Sequence, residues 1–337
     1  MSIPGERQTR NARIAGVLLL GAICCALQVG CATGPRLASP AEMGVAERAY
    51  IEDVPFHAQR EHQCGPAALA MALNASGVEV TPGELVAQVF LPAREGSIQP
   101  EMLAAARRRN RVSFVLEGTF QSLLAELDAG HPVVVMQNLS LPVWPMWHYA
   151  VAIGYDMGKR RVILHSGEEA NREESFRRFD ATWARSERWA MVTLPPGELP
   201  ASIRPDQAMD AVNAFEQASG ADNALPAWRS VTGRWPDYAM GWFALGNAKY
   251  AMGERREALS AFRQAAESDP ELAAAWLNLG LLLEELEEYA EARRALERAA
   301  SLPSPWRDKA EEALTRVGEH GITDDLSSED GARRRQP

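Results

Sequence analysis

Two stretches in the second half of the chain superimpose when it is shifted by 34 residues. Trp242, Leu245, Gly246, Ala258, Phe262 and Ala265 recur as Trp276, Leu279, Gly280, Ala292, Leu296 and Ala299, and Pro236 and Pro270 keep the same interval. A weaker copy precedes them, with Phe215, Ala224, Trp228, Val231 and Pro236 in register. A period of this length constrains the fold more than any single motif. Each unit is a pair of helices too small to bury its apolar face alone, so the units must stack. Glycine and alanine positions let two antiparallel helices approach, and the Trp, Leu and Phe positions fill the space between neighbours.

The order W-x-x-L-G, then Ala, an aromatic or Leu, Ala and Pro, is the tetratricopeptide signature. It predicts an all-α solenoid over 205–318, with units at about 205–238, 239–272 and 273–306 and a capping helix over 305–317. Such a solenoid offers a concave surface to a peptide or partner protein. The segment 196–204, with Pro196, Gly197 and Pro200, reads as a stiff extended linker. The polar stretch 319–337 reads as a disordered tail.

The opposite end of the chain carries a targeting pattern. Arg7, Arg10 and Arg13 precede an apolar run over 14–27, which is too short for a convincing membrane span of about 20 residues and reads as a secretory signal. Leu27-Gln28-Val29-Gly30-Cys31 resembles a bacterial lipobox, with Gln28 departing from the usual Leu. That resemblance implies a signal over 1–31, acylation of Cys31 and a membrane-tethered protein of the bacterial cell envelope facing the periplasm. Ala32 after the cysteine favours the outer membrane. The segment 32–50 then reads as a flexible tether.

This reading settles the use of the four cysteines. Cys24 and Cys25 leave with the signal and Cys31 is consumed by lipid, so Cys64 is the sole thiol of the folded part. A lone thiol in an exported chain cannot form an intrachain disulfide, which leaves reactivity or inert burial. No thiolate cage, no histidine ligand spacing and no glycine-rich phosphate loop is present, so neither a metal nor a cofactor is expected. The formal net charge of -10 argues against nucleic acid as a partner.

Between tether and linker, over 51–195, helical patterns come first and strands follow. An extended segment over 51–56 precedes helices starting at Cys64, Thr81 and Gln99. A strand over 112–116, a helix over 119–129 and strands over 132–136, 149–155 and 161–164 come next. Residues 176–179 read as extended, 182–185 as a short helix and 189–194 as a strand. The order indicates an α+β domain with helices packed on one side of an antiparallel sheet.

Cys64 opens the wholly apolar helix Cys64-Gly65-Pro66-Ala67-Ala68-Leu69, with Pro66 in its first turn. Unpaired N–H groups and the helix dipole favour a thiolate there, and Gly65 would let a substrate backbone approach. A cysteine nucleophile needs a base, and the chain has six histidines. His62 is too local, His57 and His131 sit beside strand starts, His165 follows the strand over 161–164, and His320 lies in the tail. His148 opens a strand in which it shares a face with Ala150, Ala152 and Gly154, small residues that would leave room for a packed helix. By residue chemistry alone, a single histidine at a strand end is more often a surface or core residue.

Val54-Pro55-Phe56-His57-Ala58-Gln59, Gln63-Cys64-Gly65-Pro66-Ala67-Ala68-Leu69 and Trp147-His148-Tyr149-Ala150-Val151-Ala152-Ile153-Gly154-Tyr155-Asp156 together resemble the bacteriocin-processing, double-glycine cysteine peptidase family. More closely, they resemble its stand-alone exported members joined to tetratricopeptide repeats. The resemblance spans roughly 51–195 and implies a papain-like fold. It places Cys64 as nucleophile, His148 as base and Gln59 as oxyanion donor, with Gln63 as a competitor for that last role. The family's orienting aspartate is absent. Ser166 stands where it is expected, and Asn138 and Asp156 are other orienters within the sequence.

The resulting expectation is a cell-envelope cysteine peptidase that hydrolyses peptide bonds by a Cys–His mechanism, with repeats that bind a substrate or partner. Two alternatives remain: an inactive papain-like adaptor, and an acyltransferase or amidase using the same pair. Members of the resembled family are usually fused to transporters. Nothing here resembles one, so the double-glycine substrate does not carry over.

Overall fold

The computed structural model describes residues 34–59, 63–94 and 96–318. The signal, Cys31, His62, His320 and the tail fall outside the described residues. Helix α1 (Pro40–Met43) and strand β1 (Arg48–Tyr50) lead into α2 (Cys64–Ala75), α3 (Pro82–Val89), the small hairpin of β2 (Phe90–Leu91) and β3 (Gly96–Ser97), and α4 (Gln99–Arg108). Then come β4 (Val112–Val115), α5 (Phe120–Asp128), β5 (Val133–Asn138), β6 (Trp147–Asp156), β7 (Arg161–Ser166), β8 (Glu169–Ser175), α6 (Phe176–Trp183) and β9 (Ala190–Leu194). The larger sheet is antiparallel in the order β4-β9-β5-β6-β7-β8, and β1 pairs with the far end of β6.

Helices cover both faces of this sheet, not the one face expected. Tyr149, Val151 and Ile153 of β6 pack with α2, α3 and α4. Ala150 and Ala152, pointing the other way, pack with Phe120 and Leu123 of α5 and with the α6 layer. The sequence carried the sign of this. Tyr149 to Tyr155 is an uncharged, mostly apolar run without polar alternation, the pattern of a strand covered on both faces, and residues 149–156 are buried without interruption.

The segment 34–50 is docked, which corrects its reading as a flexible tether. Arg160 donates to the Pro35 carbonyl (2.8 Å), the Ala46 N–H donates to Asp128 Oδ1 (3.1 Å), and the Tyr155 hydroxyl donates to the Ala46 carbonyl (3.0 Å). β1 takes the stretch of β6 beyond the reach of β5, which pairs only as far as Ala152. Free backbone groups on a long strand attract whatever segment can pair with them. The paired strand is therefore Arg48–Tyr50, and the extended segment expected over 51–56 forms no strand.

Two further differences have local causes. β8 has no apolar alternation to betray it. It is a polar edge strand held by backbone pairing to β7 and by ion pairs such as Arg178–Glu174 (2.9 Å). Residues 176–179 are helical rather than extended. Ser175 caps α6, accepting from the Arg178 N–H (3.4 Å), and Phe176, Phe179 and Trp183 at helical spacing fill the core.

The linker is also tied down. Glu126 of α5 is fully buried and accepts from the N–H groups of Ala201 (3.1 Å) and Ser202 (2.9 Å) and from the Ser202 hydroxyl (2.8 Å). His131 Nδ1 lies 2.8 Å from the same carboxylate. One carboxylate thus organises the turn that carries the chain from sheet to solenoid.

The solenoid is three helical hairpins: α7 (Pro205–Ser219) with α8 (Ala221–Arg234), α9 (Ala239–Ala251) with α10 (Arg255–Ser268), and α11 (Ala273–Glu285) with α12 (Tyr289–Ser301), followed by a helix over 307–318. A Cβ on Gly246 would come within 2.6 Å of the Phe262 ring, and one on Gly280 within 2.6 Å of Leu296. The glycines are there for helix contact. Trp242 Nε1 donates to the Pro236 carbonyl (2.7 Å), and Trp276 Nε1 donates to the Pro270 carbonyl (3.0 Å), so each repeat is stapled to its predecessor by the same bond. The first hairpin and α9 of the second share one apolar cluster with the sheet, through Val212, Phe215, Trp228, Val231, Leu245 and Ala248, whereas most of α10 and the third hairpin form a separate cluster.

Candidate active site

Cys64 occupies the first turn of α2, whose residues 65–73 are buried. Gly65 has a purpose other than substrate access. A Cβ there would overlap the Ser97 side chain, so glycine is required for the β2–β3 hairpin to close over the helix start. The Cys64 thiol faces the backbone N–H of Tyr149 and the N–H groups of Cys64 and Gly65. Tyr149 follows His148, so the start of α2 and the start of β6 meet at one place.

His148 is held from its far side. Its Nε2 lies 2.9 Å from Ser166 Oγ, at the end of the neighbouring strand β7. Nδ1 is left without a partner among the described residues. The small-residue face of β6 does not explain this arrangement, because Ala150 and Ala152 turn toward α5 and away from α2. What touches the Cys64 thiol from β6 is the Tyr149 N–H, one residue after His148.

Gln59 is buried and gripped at both ends of its amide. Nε2 donates to the Tyr149 carbonyl (3.0 Å), Oε1 accepts from the Gly167 N–H (3.1 Å), and the Gln59 N–H donates to the Gly167 carbonyl (2.9 Å). It thereby ties the start of β6 to the turn after β7. Gln63, the N-cap of α2, makes no side-chain capping bond. The other two orienters named from sequence are engaged elsewhere. Asn138 Oδ1 accepts from the N–H groups of Ser140 (3.0 Å) and Met146 (3.0 Å), and Asp156 pairs with Arg48 (3.1 Å).

The electrostatics lean toward neutral groups. Burial pushes the Cys64 thiol above its usual range, and the three N–H groups around it only partly offset this. Burial, together with the nearby Arg172 guanidinium, drives His148 down to about 4. Near pH 7 the thiol is protonated and the imidazole uncharged. Arg172 could not be found from sequence. It lies on the polar edge strand β8, where no apolar pattern marked a strand at all.

His57 Nε2 contacts Asn74 Oδ1 (2.8 Å), and His165 contacts the Val54 carbonyl (3.1 Å) and stacks edge-on with Phe56. Both are engaged in contacts that hold the domain together. Among the described residues, no group of three or more His, Cys, Asp or Glu could hold a metal ion, and no helix is long and apolar enough to cross a membrane.

Residues 51–191 match the family described as Peptidase_C39 like, and residues 243–304 match the tetratricopeptide repeat family. No curated protein matches the chain. Similar solved structures include the TPR2B domain of yeast Sti1 in a pHsp70 complex, at 19% identity over 34% of this chain and 97% of that one, with a TM-score of 0.32. MamA is 18% identical over 40% of this chain and 78% of that one, with a TM-score of 0.33. The Yersinia enterocolitica secretion chaperone SycD, in complex with a peptide of the translocator YopD, is 16% identical over 34% and 93%, with a TM-score of 0.32. The architecture rests on the sheet, the helical hairpins and the two family matches: this chain carries a Peptidase_C39-like domain followed by a tetratricopeptide-repeat solenoid.

Proposed function

We propose that the protein is a cysteine peptidase in which Cys64 is the nucleophile and His148 the base. The observation that carries this reading is the meeting of helix start and strand start, with His148 pinned through Nε2 so that Nδ1 is the nitrogen free to act. For Nδ1 to accept the thiol proton, Nε2 must carry its own hydrogen, and Ser166 Oγ then accepts it. The thiol transfers its proton to Nδ1 as Sγ attacks the peptide carbonyl. Negative charge on the carbonyl oxygen is met by the Cys64 N–H and by the second Nε2 hydrogen of Gln59, the first being committed to Tyr149. His148 returns the proton to the departing amine, and water then hydrolyses the thioester. The repeats bind a partner or substrate protein, and the Cys31 lipobox would hold the enzyme at the outer membrane.

The neutral resting state favours a second reading, a papain-like adaptor with little activity. Ser166 supplies no charge to stabilise an imidazolium, and Arg172 opposes one. Iodoacetamide labelling of Cys64 across pH separates the two readings. A nucleophile coupled to His148 loses reactivity in His148→Ala, whereas an inert thiol titrates identically with and without the histidine. Ser166→Asp is a gain-of-function test. A carboxylate facing Nε2 should raise the His148 pKa, lower that of the thiol and speed labelling at neutral pH by about tenfold. Product analysis with an added amine distinguishes hydrolysis from acyl transfer.

A further inference from the structure

The connection between β5 and β6, with the first residue of β6, is a projecting apolar loop. Residues 139–147, Leu-Ser-Leu-Pro-Val-Trp-Pro-Met-Trp, carry no charge, in a chain with 45 acidic and 35 basic residues. Leu139, Leu141, Val143, Trp144, Met146 and Trp147 are all exposed, Val143 and Trp144 by 82% and 80%. Side chains this open cannot line a groove. The other large exposed apolar residues described, Tyr50, Val115, Tyr250 and Trp306, are scattered along the chain. A contiguous patch of this kind marks an interaction surface.

Most of the loop's backbone donors are paired within it or absent, since Pro142 and Pro145 carry no N–H. The Leu139 N–H donates to the Met146 carbonyl (2.9 Å) and the Trp144 N–H to the Leu141 carbonyl (3.0 Å), while Asn138 Oδ1 takes the N–H groups of Ser140 and Met146. Arg185 Nη1 donates to the carbonyls of Asn138 (3.1 Å) and Ser140 (2.9 Å). A peptide-binding edge keeps such groups free for its ligand. A segment that enters hydrocarbon must satisfy them internally. Tryptophan, with an apolar body and one polar N–H, is suited to the boundary between the two.

Beside the loop lies a basic helix face. Arg177, Ala181 and Arg185 lie at helical spacing on α6 and the turn that follows it, and all three are exposed. Neither Arg177 nor Arg185 has an ion pair among the described residues. Gly34 packs against the Arg177 side chain, about 12 Å along the helix axis from Arg185. In the sequence only Ala32 and Thr33 separate Cys31 from Gly34, so an acyl chain on Cys31 would be attached within about 10 Å of Gly34.

We propose that the 139–147 loop and the Arg177–Arg185 face together dock the domain on an anionic phospholipid bilayer. The loop tip enters the acyl region and the guanidinium groups meet phosphates. Because the loop ends at His148, docking places the Cys64–His148 site at the lipid interface, within reach of polypeptides emerging from the membrane or lying on it.

Vesicle flotation of the full chain carrying Cys31→Ser, which removes any acyl anchor, tests this directly. Vesicles of phosphatidylglycerol with phosphatidylethanolamine and vesicles of phosphatidylcholine alone are compared. The double variant Val143→Asp/Trp144→Ser should lower partitioning about tenfold or more on both. Arg177→Glu should lower it severalfold on phosphatidylglycerol vesicles only, and less so at high salt. All three positions are exposed, so the thermal transition should not move. Partitioning equal to that of the parent overturns the proposal. So does a loop variant that changes only the KM for a soluble peptide or only self-association in sedimentation. Repeating the flotation with Cys64→Ser keeps the result independent of any peptidase activity.

Discussion

The two halves of this molecule solve the burial problem in opposite ways. In the solenoid, each helix packs on its neighbour in sequence, and the same contacts recur every 34 residues: Gly246 under Phe262, Gly280 under Leu296, and a Trp bonded to the preceding Pro carbonyl. In the Peptidase_C39-like domain, the decisive contacts join distant segments. Gln59 reaches Tyr149 and Gly167, His148 reaches Ser166, and Asp128 holds Ala46. Local repetition gives a scaffold that one sequence period specifies. Non-local closure gives a site whose groups are set by the whole sheet. The first hairpin belongs to both regimes, since it repeats like the solenoid yet shares its core with the sheet.

The largest expected effect lies in the non-local half. On the peptidase reading, His148→Ala should lower peptide hydrolysis by about a thousandfold without altering the thermal transition of the solenoid, measured by turnover and calorimetry on the same sample. Equal turnover in the variant would remove the mechanism.

Glu126→Ala attacks the joint between the halves. It strips the acceptor from Ala201, Ser202 and His131 in a buried position, and should destabilise by about 3 kcal/mol. If the joint couples the halves, chemical denaturation should also change from one transition to two. A single unshifted transition would show that the halves are held together by the apolar cluster alone.

Gly280→Val acts within the local regime. The added side chain meets Leu296 and the Ala292 carbonyl, and should cost about 1–3 kcal/mol through overpacking. Hydrogen exchange should place that loss in α11 and α12 and leave the sheet protected. Loss spread into β6 would mean that the two regimes are not separate.

The smallest effect is set by pH. Burial lowers His148 to about 4 and also lowers His165, while an unfolded histidine titrates near 6.5. Below 6.5 the unfolded chain binds more protons than the folded one. The stability these groups contribute is therefore complete above about 6.5 and is lost as pH falls toward 4. Residues 205–318 contain no histidine, so this loss belongs to the domain. A melting temperature that falls across this window in the parent, and falls less in His148→Gln, is the expected result. Identical slopes would assign the loss to other groups.

How much could be read in advance follows the same division. The hairpins fall where the period places them, because a repeat's packing partner is its own copy. Cys64 was legible as the start of an apolar helix and His148 as the start of a strand, since both are local patterns. The small-residue face that His148 shares in sequence with Ala150 and Ala152 packs on α5 and not on the helix of Cys64. The docked 34–50 segment and the helix Phe176–Trp183 differ from the sequence reading, and the polar strand β8 has no sequence signal. Their conformations are imposed by a free edge on β6, by pairing to β7 and by a Ser175 cap against an aromatic core.

The sequence by itself therefore determined that a solenoid of paired helices follows an α+β domain with one thiol at a helix start, because periodicity and capping are written in neighbouring residues. Only the tertiary structure decided what surrounds that thiol: Ser166 against Nε2, Gln59 clamped between Tyr149 and Gly167, Arg172 beside the imidazole, and the 139–147 loop standing out from the surface. Each of these depends on which strand lies next to which, and on burial that changes the charge state of a group without changing its identity. Pairing across 90 or more residues leaves no periodic trace in a single chain.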